Sequence, residues 1–144
     1  MLGSENGEGE LFLAKFSIHA SAISRQTKTR SIRCQRTTLD YLVSSESIPP
    51  PNVIKIDVEG SEMDVFKGAQ DMIRKAKPSI IFEADDNCSR FGYSRQELFE
   101  LLRSLVPYKI YFLDHGAQLI PVDKDPNNIN PNLVAIPPQK EVPF

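Results

Sequence analysis

Two hydrophobic patterns alternate along this chain. Short apolar runs bounded by Pro, Asn or Gly read as strands, and apolar residues recurring every three or four positions read as helices. Val53–Val58 is a run of the first kind, closed by Pro51-Asn52 and by Gly60, and it predicts a strand covered on both faces. Val65, Phe66, Ala69, Met72 and Ile73 follow at helical spacing and predict one helix after Ser61. Ser61 is placed to cap that helix, with Asp64 at the third position. Glu62 and Asp64 fall in its first turn, where the helix dipole favours negative charge. Arg74, Lys75 and Lys77 fill the last turn, and Pro78 ends it. "SIIFEA" (79–84) predicts a second buried strand. Strand, helix and strand at this spacing make a right-handed parallel βαβ unit.

The pattern repeats toward the C-terminus. Ser94 and Glu97 form a capping box opening a helix over 94–105, with Leu98, Leu101, Leu102 and Leu105 inward. "YKIYFLD" (108–114) predicts a strand, "HGA" a tight turn and "QLIPV" (118–122) its hairpin partner. "KDPNNINPN" is a loop by composition, and "LVAIP" (133–137) a last strand. The N-terminal third is less regular. One strand is expected near 10–18, a solvated basic loop over 25–33, and a helix start at Thr37 with Asp40 three residues on. "ESIPPPN" (46–52) is a turn, because three consecutive prolines cannot continue a helix. The predicted class is α/β, with a doubly wound sheet of parallel strands and an antiparallel edge.

Composition narrows the function classes. With 144 residues and 40% apolar content, the chain suits a single domain over 1–144 with a real core, and 1–9 reads as a flexible, glycine-rich N-terminus. Seventeen Lys+Arg against nineteen Asp+Glu leave a net charge of −2, which argues against nucleic acid as a partner. No apolar run is long enough to span a bilayer, so no membrane partner is expected and the cytosol is the default location. Cys34 and Cys88 are far apart and form no CxxC pattern, so two reduced thiols are expected rather than a zinc site or a disulfide framework. Asp85 and Asp86 beside Glu83 suggest oxygen ligands for magnesium or calcium, yet consecutive side chains point apart and "ADDNCS" reads as a polar loop. No metal site is assigned. His19, His115, Tyr93, Tyr108 and Tyr111 are read as turn, surface or core residues before ligands.

Charge in the central strand is costly unless it is paired or used. Residues 55, 57 and 59 alternate onto one face, which puts Lys55 about 6–7 Å from Asp57 and makes an ion pair between them the first expectation. Asp57 closes the strand, Glu59 lies just past it, and Glu83 lies near the end of the neighbouring strand, roughly 5 Å across. Ligands of open α/β sheets bind beyond the carboxyl ends of the strands. Asp57, Glu59 and Glu83 are therefore the candidate site residues.

These residues carry a resemblance. "IKIDVEGSEMDVFKGA" (54–69) closely resembles the signature I-K-I-D-V-E-G-x-E-x-x-V-L-x-G-A of the FkbM-type methyltransferases. "RTTLDYL" resembles that family's T-L-D segment, "KPSIIFEA" its P-x-I-x-x-E strand, and "GELFL" its G-x-x-x-L strand. The departure is Phe66 where the family has leucine. The resemblance implies a Rossmann-like class I methyltransferase sheet, S-adenosylmethionine as cofactor, and a small-molecule hydroxyl acceptor on a sugar or natural product. It implies catalytic roles for Asp57, Glu59 and Glu83, with Asp57 on the cofactor wall and Glu59 or Glu83 taking the hydroxyl proton. No glycine-rich turn sits at a strand–helix junction here, so the chain resembles the C-terminal half of the family's domain, without its N-terminal strands. Two rivals stand beside this reading. A haloacid-dehalogenase-type phosphatase would need D-x-D-x-[TV] where the chain has D-V-E-G. A non-catalytic interaction module would use an exposed sheet edge to bind a partner or itself.

Overall fold

The computed structural model describes residues 1–13, 20–21, 30–113, 118–124 and 132–138. His19, His115 and the expected strand residues 14–18 lie outside them.

The central sheet grows from the predicted βαβ unit. Strand β4 (Val53–Ile56) pairs in parallel with β5 (Ser79–Glu83), Val53 opposite Ser79 and Ile56 opposite Phe82. The strand β6 (Lys109–Leu113) pairs antiparallel with β7 (Leu119–Pro121), as the hairpin reading predicts. The last strand, β8 (Asn132–Ile136), inserts between β5 and β6 and runs antiparallel to both. The order is β4-β5-β8-β6-β7, a mixed sheet in which β4 is an edge.

Alternation along the strands sorts the two faces. Ile56, Phe82, Leu133, Phe112 and Ile120 stand side by side across the sheet, and the first three are buried. Above Phe82 lie Phe66 of helix α2 (Glu62–Lys67) and Phe99 of helix α4 (Arg95–Leu105), edge-on with centroids 5.6 and 6.4 Å away. The opposite face carries Lys55, Ile81, Val134, Tyr111 and Pro121 in a row, all exposed or half-buried. The strand expected to be covered on both faces is thus covered on one: Val53 is 60% exposed and Ile81 41%. Helices α2 and α4, with Met72 and Ile73 of helix α3 (Gln70–Ala76), contribute to the core on the Phe82 side. The doubly wound expectation needs helices on both sides, and these three pack on one.

The predicted helix over 61–77 is two helices. All five residues of its apolar stripe are buried, but the chain breaks at Gly68-Ala69. A Cβ on Gly68 would stand 2.0 Å from the carbonyl oxygen of Gly3, so only glycine admits that crossing chain. Asp40 then caps α3 from outside, its carboxylate accepting the N–H groups of Asp71 (3.1 Å) and Met72 (2.8 Å). Its own helix, α1 (Leu39–Ser44), is capped by Thr38 rather than by the expected Thr37. The capping box of Ser94 and Glu97 on α4 forms as read from the sequence.

The N-terminal residues have definite partners. Strand β1 (Gly7–Leu13) pairs antiparallel with β3 (Arg30–Arg36) and with the short β2 (Ala20–Ser21). Residues 30–33, expected in a basic loop, are strand because their backbone pairs with Glu10–Leu13 and Glu10 faces Arg33 across the ladder. The Asn6 side-chain oxygen accepts from the backbone N–H and side chain of residues 38 and 37 respectively, at 3.1 and 2.9 Å. This small sheet is thereby moored to the start of α1. Among the described residues no helix is long and apolar enough to cross a membrane.

Candidate functional site

The turn between β4 and α2 is built around a carboxylate. Glu62 is 2% exposed, and its Oε1 accepts the N–H groups of Val58 and Gly60, both at 3.2 Å. The Tyr93 hydroxyl stands 3.0 Å from the other carboxylate oxygen and 2.8 Å from the Gly60 carbonyl, so its one proton is shared between two acceptors. Burial, followed by its hydrogen bond to Cys88, raises Tyr93 far above the ordinary phenol range, and it stays a donor. Burial likewise raises the Cys88 thiol, partly offset by the Tyr93 hydroxyl. Cys34 and Cys88 are both free. The latch holds Glu59 at φ +57 and Gly60 at φ +104. Left-handed geometry costs an L-residue about 1–2 kcal/mol, so Glu59 is held in it by what surrounds it.

Ser61 caps nothing. Its backbone is not extended, and among the described residues no N–H reaches its hydroxyl and the buried Oγ has no partner. The Glu62 carboxylate, folded back onto the turn, has taken the organising role expected of Ser61. Sequence reasoning placed Glu62 only as a favourable charge in a first turn and Tyr93 as core. The available signal was the second glutamate of the 54–69 signature, in E-G-x-E.

The three predicted site residues come together. Asp57 follows β4 directly, and Lys55 Nζ lies 2.7 Å from its carboxylate, the expected ion pair. That pair is solvent-facing, with Lys55 67% and Asp57 47% exposed, and so contributes about 0–1 kcal/mol. Glu83 ends the adjacent parallel strand and is half-buried. Burial, then the charges of Asp57, Asp85, Glu59 and Glu62, push its carboxyl above the usual range. Negative charge is therefore concentrated at the carboxyl ends of β4 and β5. Asp86's side chain is outside the described set, and among the described residues no three His, Cys, Asp or Glu groups assemble as a metal site. Tyr108 donates to the Pro78 carbonyl at 2.7 Å as a core residue, while Tyr111 lies on the open face.

Beside this acidic edge an open cleft of about 410 Å³ separates the N-terminal sheet from the β4–α2 turn. Asp57, Val58, Ser61 and Asp64 form one wall, and Leu11, Cys34 and Arg36 contribute to the other.

Comparison with known proteins places the chain in a family. The family model described as "Methyltransferase FkbM domain" matches residues 3–116. The chain is 29% identical over 79 residues to the hexuronic acid methyltransferase AglP of Haloferax volcanii, a match covering 55% of this chain and 33% of that protein. Its fold is similar to the crystal structure of methyltransferase FkbM from Methylobacillus flagellatus KT, with a TM-score of 0.55 and 18% identity. That alignment covers 93% of this chain and 26% of the other. The chain thus spans a third or less of the length of these relatives. With the match running from Gly3 through the acidic edge of the sheet, the chain belongs to the FkbM methyltransferase domain family.

Proposed function

We propose that this chain forms part of an S-adenosylmethionine-dependent methyltransferase site that methylates a hydroxyl oxygen of a sugar or natural product. The observation that carries the reading is the gathering of Asp57, Glu59 and Glu83 at the carboxyl ends of the parallel pair. Family membership supports methyl transfer, and the name of the haloarchaeal relative supports a sugar acceptor. The donor set fits the cationic end of the cofactor, because a sulfonium is favoured beside several carboxylates. When bound, S-adenosylmethionine supplies an electrophilic methyl group. Asp57 forms the wall beside it, steadied by Lys55. Glu83, raised by burial and by its acidic neighbours, is the better proton acceptor for the acceptor hydroxyl, with Glu59 orienting that hydroxyl. Positioning of the hydroxyl supplies much of the acceleration.

The finer fold reading belongs to the same proposal. The β4 edge, unpaired among the described residues, and the Lys55–Ile81 face are where further strands and helices of a class I, Rossmann-like sheet would add. The glycine-rich turn that cradles the nucleoside in such sheets has no counterpart among the described residues. Two free thiols suit a cytosolic setting. In a complete domain containing these residues, Glu83→Gln should lower turnover of labelled methyl into a glycoside by 10²-fold or about that, with KM little changed. Unchanged turnover would remove Glu83 as the base.

A second reading has its own observation. Val53 and Ile81 are exposed on the sheet edge and face, a surface suited to a non-catalytic interaction module or to self-association. Sedimentation of the chain decides it: a concentration-dependent dimer abolished by Ile81→Ser favours the module.

A further inference from the structure

Three buried side chains beside the acidic edge take no direct part in the proposed chemistry: Glu62, Tyr93 and Cys88. They touch in a row. Glu62 opens α2, and its carboxylate accepts the Val58 and Gly60 N–H groups of the turn after β4, both at 3.2 Å. The Tyr93 hydroxyl, 3.0 Å from Glu62 Oε2 and 2.8 Å from the Gly60 carbonyl oxygen, grips the same turn. Cys88 stands on the 3-10 helix Asp86–Phe91, in the segment that follows β5. Its thiol, kept protonated by burial, is hydrogen-bonded with the Tyr93 hydroxyl and has a proton to give it. The backbone closes the same segment: the Cys88 N–H donates to the Asp85 carbonyl at 3.2 Å, and the Tyr93 N–H to the Cys88 carbonyl at 3.3 Å.

Resting on the methyl-transfer reading of this edge, we infer that Glu62 and Tyr93 are positioning residues for that reaction: the Cys88–Tyr93–Glu62 row ties the turn after β4 to the segment after β5 and fixes where Glu59 stands relative to Glu83. The described pairing of β4 with β5 ends at Ile56, so the ladder does not hold Glu59 and the turn must. That turn keeps Glu59 at φ +57 and Gly60 at φ +104, and the first is a conformation that an L-residue leaves when released. The two N–H groups clamped by Glu62 belong to Val58 and Gly60, the residues on either side of Glu59. Glu83 registers the arrangement, since burial and then the charges of Asp57, Asp85, Glu59 and Glu62 raise its carboxyl. A buried polar network whose members are bonded to one another is rigid, which suits two carboxylates that must meet one hydroxyl.

The test begins with NMR of the chain alone. A residue at positive φ gives a strong cross-peak between its amide proton and its own Hα, and Glu59 should show one in the parent. Tyr93→Phe removes one hydroxyl and keeps the ring, so the fold should persist. In that variant the Glu59 cross-peak should weaken. The Glu83 carboxyl, followed by carbon-detected NMR, should titrate about half a pH unit lower as its acidic neighbours move away. Glu62→Ala should weaken the cross-peak further, and Glu62→Gln, which keeps an oxygen acceptor for Val58 and Gly60, should restore it. In a complete domain containing these residues, Tyr93→Phe should lower kcat about tenfold with KM for the acceptor changed less than about twofold. A Glu59 cross-peak and a Glu83 titration that both match the parent in Tyr93→Phe would overturn the inference, as would an unchanged kcat. The two readings fail separately. A complete parent domain that transfers no methyl group retires the methyl-transfer reading, and the NMR of the chain still decides whether the row holds Glu59 beside Glu83. Methyl transfer by the parent with a Tyr93→Phe variant equally fast keeps that reading and retires the positioning role.

Discussion

The two faces of the central sheet are made by the same strands and have opposite fates. Phe82 and Ile81 are adjacent in β5, yet Phe82 is 2% exposed under two aromatic rings and Ile81 is 41% exposed. On the covered side, apolar residues meet helices, and burial drives folding at about 25 cal/mol per Å². On the open side Ile81, Val134, Tyr111 and Pro121 are nearly as apolar, yet they stay exposed or half-buried. Among the described residues, the helices cover one face of the sheet and leave Ile81 on the other exposed. The same contrast recurs in the acidic residues: Glu62 is sunk in the core and fully bonded, whereas Asp57 lies at the surface.

The sharpest way to break this comparison is at Phe82. Phe82→Ala should cost about 3–5 kcal/mol in denaturant unfolding, since it opens a cavity beneath Phe66 and Phe99. A loss below 1 kcal/mol would mean the covered face is not the core. Glu62→Ala should cost about 2–4 kcal/mol, as it strands the N–H groups of Val58 and Gly60 and leaves the Tyr93 hydroxyl only the Gly60 carbonyl. Asp40→Ala should cost about 1–2 kcal/mol through the lost cap on α3. Ile81→Ser and Asp57→Asn should each change stability by less than about 1 kcal/mol. If Asp57→Asn cost several, it would be a structural partner of Lys55 and not a site residue.

Smallest is a slope against pH. Glu83 is raised in the folded state, so the folded chain holds its proton to higher pH than the unfolded one. Stability should therefore fall as pH rises from the ordinary carboxylate range through the folded value. Glu83→Gln should flatten that part of the curve, and an unaltered curve would show that neither burial nor the acidic neighbours raise it.

Much of this was legible. The β4–β5 pair, the 94–105 helix with its capping box and the 108–122 hairpin follow from period, turn residues and caps that act within a few positions. The placement of Asp57, Glu59 and Glu83 at neighbouring strand ends was legible because strand ends are. What failed depended on distant partners. Arg30–Arg36 is strand because Gly7–Leu13 pairs with it, and its charges hid the alternation. Gly68 breaks a helix because Gly3 crosses it, and Asp40 caps a helix thirty positions on. Glu62 looked like a surface charge until Tyr93 and the turn closed over it.

On the proposed methyl-transfer reading, the acidic edge of β4 and β5 receives the cationic end of a methyl donor. NMR titration of the chain with S-adenosylmethionine, beside its uncharged thioether product S-adenosylhomocysteine, tests it most directly. Without a glycine-rich cradle among the described residues, binding should fall toward the millimolar range, about two to three decades weaker than a micromolar site. The amides of 57–60 and 83–85 should shift with the sulfonium and much less with the thioether, and Asp57→Asn should diminish the difference. Equal shifts from both compounds, or shifts confined elsewhere, would contradict the account.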